Sequence, residues 1–128
     1  MFRPNLFVAA LAASLVTLGC STMGSEASGP ARMSNGMLVG SNGMTLYTFD
    51  RDAANSGKSA CNGPCATLWP PLAATASDQP SGDWTVVVRD DGSRQWAYKG
   101  KPLYYYQNDK QAGEKAGDNF RDVWHVVK

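Results

Sequence analysis

With one histidine, three cysteines and no block of like charge, the chain has little material for the commoner active sites. A lone histidine cannot build a zincin motif, and nucleophile elbows and glycine-rich phosphate loops are absent too. Twelve Lys and Arg stand against eleven Asp and Glu. Without a basic cluster, that balance argues against nucleic acid as a partner and against a polybasic membrane patch. Asp90-Asp91-Gly92 is a turn and not a calcium loop, because the remaining ligands of such a loop are missing. No helical period runs longer than about two turns, and 128 residues are enough for one domain, read as β type.

Long hydrophobic runs are confined to one place. Leu6 to Leu18 is apolar apart from Ser14 and Thr17. At about 13 residues it is too short to cross a bilayer core comfortably but suits the apolar region of a signal peptide. The run ends Val16-Thr17-Leu18-Gly19-Cys20-Ser21, which resembles the lipobox of bacterial lipoproteins. The resemblance implies a signal over residues 1–19, diacylglycerol on the Cys20 thiol and acylation of the new amino terminus. The partner is then a membrane, reached through lipid, with each buried CH2 adding about 0.8 kcal/mol. In a diderm cell, Ser21 after the cysteine resembles the outer-membrane sorting signal. Removing residues 1–19 takes away Arg3 and no acid, leaving eleven charges of each sign. The segment from Ser21 to about Arg32 is small, polar and aperiodic, so residues 20–32 are read as the lipidated cysteine and a flexible tether.

From Met33 onward the chain is organised by a repeat. Leu46-Tyr47-Thr48-Phe49-Asp50-Arg51-Asp52 is echoed by Leu103-Tyr104-Tyr105-Tyr106-Gln107-Asn108-Asp109. Each copy follows a glycine by three residues (Gly43, Gly100) and leads through a polar loop to a tryptophan (Trp69, Trp124). Self-similarity of this kind sets architecture before anything else. The fold expected for 33–128 is mainly β: antiparallel hairpins from two degenerate repeats, about 36–72 and 94–127, packed as one compact domain with long loops and at most short helical turns. Ser41-Asn42-Gly43 turns a hairpin between Gly36–Gly40 and Met44–Phe49. Pro64 to Trp69 allows one helical turn, ended by Pro70-Pro71. Ala73 to Gly82 is a loop. Trp84–Arg89 and Arg94–Tyr98 are paired strands, Pro102–Gln107 is the second motif strand, and Val123–Val127 closes the chain as a strand.

These pieces, together with Cys61-Asn62-Gly63-Pro64-Cys65-Ala66, Leu68-Trp69-Pro70-Pro71, Arg89-Asp90-Asp91-Gly92 and Trp124-His125-Val126-Val127, resemble a family of predicted bacterial lipoproteins. That family has a doubled Tyr-x-(Phe/Trp/Tyr)-x-x-Asp motif and is also described as a secreted repeat of unknown function. The resemblance spans about Met37 to Val127. It implies an envelope location and no established activity.

The candidate site residues each carry two readings. Tyr47, Phe49, Tyr104 and Tyr106 alternate along strands and are read as core aromatics, with a ligand-stacking platform as the other possibility. Asp52 and Asp109 are read as carboxylates accepting backbone N–H groups where strand turns to loop, with acid, glycosidase or metal roles as the alternatives. With Cys20 assigned to lipid, Cys61 and Cys65 form an even pair outside the cytosol, where disulfides persist. A C-x3-C spacing closes a bridge if the Cα atoms come within about 4.4–6.8 Å. The competing chemistry is a redox or copper-handling site of Cys61, Cys65 and His125, which suit Cu(I) or Zn(II) by ligand type. The expected protein is therefore an envelope-anchored, non-catalytic binding or structural module without a cofactor, and the alternative is a periplasmic redox or copper protein.

Overall fold

In the computed structural model, residues 30–128 are described. The readings made for the signal, Cys20 and most of the tether lie outside them. The first strand, β1 (Ala31–Ser34), begins two residues inside the stretch read as tether. It pairs antiparallel with β2 (Met37–Gly40), with Ser34 opposite Met37. The turn between them is Asn35-Gly36, with φ of 52° and 81°. Two consecutive positive φ values are what a two-residue hairpin of this hand requires, and Asn-Gly tolerates them best. The chain thus uses a second Asn-Gly pair that the sequence reading passed over, because Ala-Arg-Met-Ser has little strand character. The expected Ser41-Asn42-Gly43 turn is also present: Gly43 N–H bonds Gly40 O and Gly40 N–H bonds Met44 O. Regular pairing of the next strand starts only at β3 (Tyr47–Phe49).

The long loop that follows contains one short helix, α1 (Pro64–Leu68). After it, β4 (Ala73–Ala74) lies in what was expected to be loop. β5 (Trp84–Val88) and β6 (Arg94–Tyr98) form a five-pair antiparallel ladder. β4 pairs with the other edge of β6, and β7 (Lys101–Pro102) folds back on β6 across Lys99-Gly100. The second motif copy is not the continuous strand expected over Pro102–Gln107. Beyond β7, Tyr104 makes single bridges to Tyr47 and Pro71. The reason is in the partner: Pro70 and Pro71 have no N–H to give, so a regular ladder cannot form beside them. A short 3-10 turn at Phe120–Asp122 precedes β8 (Trp124–Val126).

The repeats do not sit side by side; they trade segments. β3 of the first repeat pairs antiparallel with β8 of the second, Tyr47 opposite Val126 and Phe49 opposite Trp124. Reciprocally, the second motif runs against the end of the first repeat: Leu72 N–H bonds Leu103 O (2.9 Å), Tyr105 N–H bonds Pro70 O (2.7 Å) and Gln107 N–H bonds Leu68 O (2.8 Å). Between the two crossings, Tyr47 N–H bonds Tyr104 O (2.8 Å) and Tyr104 N–H bonds Tyr47 O (3.0 Å). These equivalent residues thus mark a local two-fold axis.

Alternation along the motif strands divides the interior in two. Tyr47, Phe49, Tyr104 and Tyr106 gather with Met37, Cys61, Trp69, Trp124 and Val126. Leu46 and Leu103 point the other way, onto Leu38, Leu72 and Trp96.

Candidate functional site

Four rings run through the first cluster as one stack. Phe49 lies 4.2 Å from Trp124, Trp124 lies 3.8 Å from Trp69, and Trp69 lies 4.1 Å from Tyr106, with interplanar angles of 11°, 3° and 21°. The order obeys the two-fold: each tryptophan is sandwiched between its equivalent and the motif ring of the other repeat. Tyr47 meets Trp69 edge-on at 5.3 Å, and Tyr104 meets Trp124 edge-on at 5.1 Å. Edge-to-face and offset contacts of this kind add about 0.5–1.5 kcal/mol per pair beyond burial. A glycine makes room for the stack: a Cβ on Gly117 would lie 2.6 Å from Trp69 Cη2 and 2.9 Å from Tyr106 Cδ2. Gly117→Ala is therefore expected to destabilise the domain by about 1–3 kcal/mol through overpacking, read as a lowered urea midpoint with unchanged slope. A neutral result would show that the rings are free to shift.

The motif acids close the same exchange. Tyr104 O–H donates to Asp52 Oδ2 and Tyr47 O–H donates to Asp109 Oδ2, both at 2.6 Å. Each tyrosine thus bonds the carboxylate of the other repeat. The second oxygen of each acid takes a backbone amide from its own loop, Ala60 N–H on Asp52 Oδ1 (2.6 Å) and Ala116 N–H on Asp109 Oδ1 (2.8 Å). So one acid fastens its loop to the opposite half. A carboxylate three residues beyond the motif's second ring, at the strand's exit, is placed to do both.

Burial pushes both phenols up, and the facing carboxylates add to that. Burial also holds the Asp52 and Asp109 carboxyls above the ordinary 3.8, outweighing the lowering by the tyrosine hydroxyls and backbone amides. A folded-state value above the unfolded one means the folded protein binds the proton more readily. The associated stability is complete below 3.8 and is lost as pH rises through the folded value. Compared with an Asp52→Asn/Asp109→Asn variant, the wild-type chain should gain stability on going from pH 7 down to about 4. Urea midpoints of the two proteins over that range test this; a wild-type chain that weakens relative to the variant contradicts it.

Tyr104, unlike Tyr47, has further polar side chains gathered around its hydroxyl. Ser59 Oγ lies 2.5 Å from Tyr104 Oη. The buried guanidinium of Arg89 donates from Nη1 to Ser59 Oγ (3.0 Å) and Gln95 Oε1 (2.7 Å), and from Nη2 to the Cys61 carbonyl. Arg89, Ser59 and Gln95 were not singled out in the sequence. The signal for Arg89 was strand alternation: it follows Val87 by two, and Val87 faces inward. Cys61 and Cys65 are joined by a disulfide with Cα atoms 5.2 Å apart, which pins the loop that Arg89 reads.

His125 stands elsewhere. Its Nε2 is 2.9 Å from Asp50 Oδ2 and its Nδ1 is 3.1 Å from Asn119 Oδ1, on the surface. Among the described residues no three of His, Cys, Asp and Glu gather in a group fit to hold a metal ion, so His125 is not brought to the cysteines. A shallow concavity of about 220 Å3 lies between Asn55, Gly57, Thr85, Val87 and Gly100, and neither motif acid lines it.

Two intertwined β repeats with a buried aromatic and acidic tie between them define the class: a two-repeat module whose repeated motif is interior. The chain belongs to the family described as a secreted repeat of unknown function, whose sequence model matches it twice, over residues 31–73 and 85–128. Each matched repeat reaches further toward the amino terminus than the sequence reading placed it, taking in β1 and all but the first residue of β5. No curated protein and no solved structure matches the chain.

Proposed function

We propose that this is a lipid-anchored envelope module that works by binding or bracing, without catalysis and without a cofactor. The observation that carries the reading is the engagement of the motif. Tyr47, Tyr104, Asp52 and Asp109 are buried and bonded to one another, so the side chains best suited to chemistry are committed to joining the repeats. The closed Cys61–Cys65 bridge suits an oxidising compartment, and the family's secreted character agrees with it. The anchor is Cys20, at the lipobox-like Leu18-Gly19-Cys20-Ser21, and the location is the outer membrane where the cell has one. A copper site of Cys61, Cys65 and His125 would require the bridge to open and His125 to leave Asp50 and Asn119; no feature of the geometry favours it.

Cys20→Ser tests the anchor. The expected result is loss of labelled palmitate from the full chain and its transfer from the membrane fraction to the soluble fraction. Unchanged labelling and fractionation would refute it.

A further inference from the structure

The segment exchange has a consequence for association. Each repeat supplies a strand, a tryptophan and a carboxylate to the other. The motif strand of one pairs with the closing segment of the other, and each tyrosine finds its acid across the boundary. Nothing in that surface requires both repeats to come from one chain. The geometry points to a second copy of this chain as an alternative occupant: two molecules can exchange repeats and rebuild the same core twice, in a closed symmetric dimer.

The connector between the repeats decides which form is made. β4 and β5 lie on opposite edges of β6, with Ala74 opposite Arg94 and Trp84 opposite Tyr98. From strand spacing and rise, Ala74 and Trp84 are therefore about 17 Å apart. The natural connector covers this with slack. Arg94 takes up that slack, donating from Nη1 to the carbonyls of Thr75 (2.9 Å) and Ala76 (2.6 Å) and from Nη2 to that of Asp78 (3.2 Å). Clasped in this way, the connector returns the second repeat to its own first repeat. At micromolar concentration the closed monomer is favoured, since a short tether gives its partner an effective concentration in the millimolar range.

Deleting Ser77–Gly82 leaves four Cα steps between Ala74 and Trp84, which span at most about 14 Å. The repeats can then no longer meet within one chain, yet they can still meet between two. The expected result for the full chain carrying this deletion is a dimer by light scattering that survives dilution, because parting would require the core to open. Restoring six residues as Gly-Ser should return the monomer. With the connector intact, Arg94→Ala should raise the dimer fraction obtained on refolding at millimolar concentration above that of the wild-type chain. A deletion variant that stays a folded monomer, fails to fold, or gives dimers that fall apart on dilution would overturn the proposal. An Arg94→Ala chain that refolds with no more dimer than wild type would overturn the role given to the clasp.

Discussion

Tyr104→Ala is expected to cost about 3–5 kcal/mol, the range for truncating a large buried aromatic, out of the 5–15 kcal/mol typical of a whole domain. Tyr104 is fully buried on the two-fold axis. Its ring is edge-on to Trp124 and Phe49, and its hydroxyl holds Asp52. The alanine variant loses the rings' partner and leaves the carboxylate with a single backbone donor. Tyr104→Phe separates the two losses. It keeps the packing and removes a hydrogen bond to a buried carboxylate, worth about 1.5–3 kcal/mol. Urea unfolding of the three proteins, followed by tryptophan fluorescence, gives both numbers. If alanine costs less than about 1 kcal/mol, near the centre of ordinary point substitutions, Tyr104 does not hold the halves together.

Arg89→Met should be the most damaging change to a charged side chain, at about 3 kcal/mol. The guanidinium is buried and feeds four acceptors: Ser59, Gln95, the Cys61 carbonyl and, at 3.5 Å, Asn62. Methionine fills much of the volume but leaves buried acceptors unmet, each costing about 1–3 kcal/mol. Arg89→Lys should recover only part of the loss, since an ammonium cannot match a planar fork aimed at several oxygens. A surface arginine would instead change stability by less than about 0.5 kcal/mol. Thermal or urea unfolding decides between these. A variant as stable as wild type would mean that the disulfide loop stands without its clamp.

The β character, the repeat, the β5–β6 ladder and the short helix at Pro64 were readable from strand propensity, the doubled motif and proline placement. The bridging of Cys61 and Cys65 was readable from count and compartment. What was not readable is the exchange. Local patterns say which face of Tyr47 and Phe49 is inward, but which closing segment pairs with them is settled only when both halves are present. β1 was missed because its four residues are half exposed and draw their strand character from β2. The second motif strand was overextended because its partner's prolines are thirty-odd positions away from where the strand is read. Arg89 was passed over as the end of a strand because charge is ordinarily a mark of the surface, and here alternation outvotes it.

The crossed tyrosine and aspartate pairs also bear on how such a chain can change over generations. A tyrosine lost from one half strands an acid in the other, and an acid lost from one half leaves a phenol in the other without its acceptor. The two halves therefore cannot drift apart at these positions one at a time. Their loops, hairpin lengths and surface residues are free to diverge, and it is there that one ancestral unit, once doubled, could acquire two different faces.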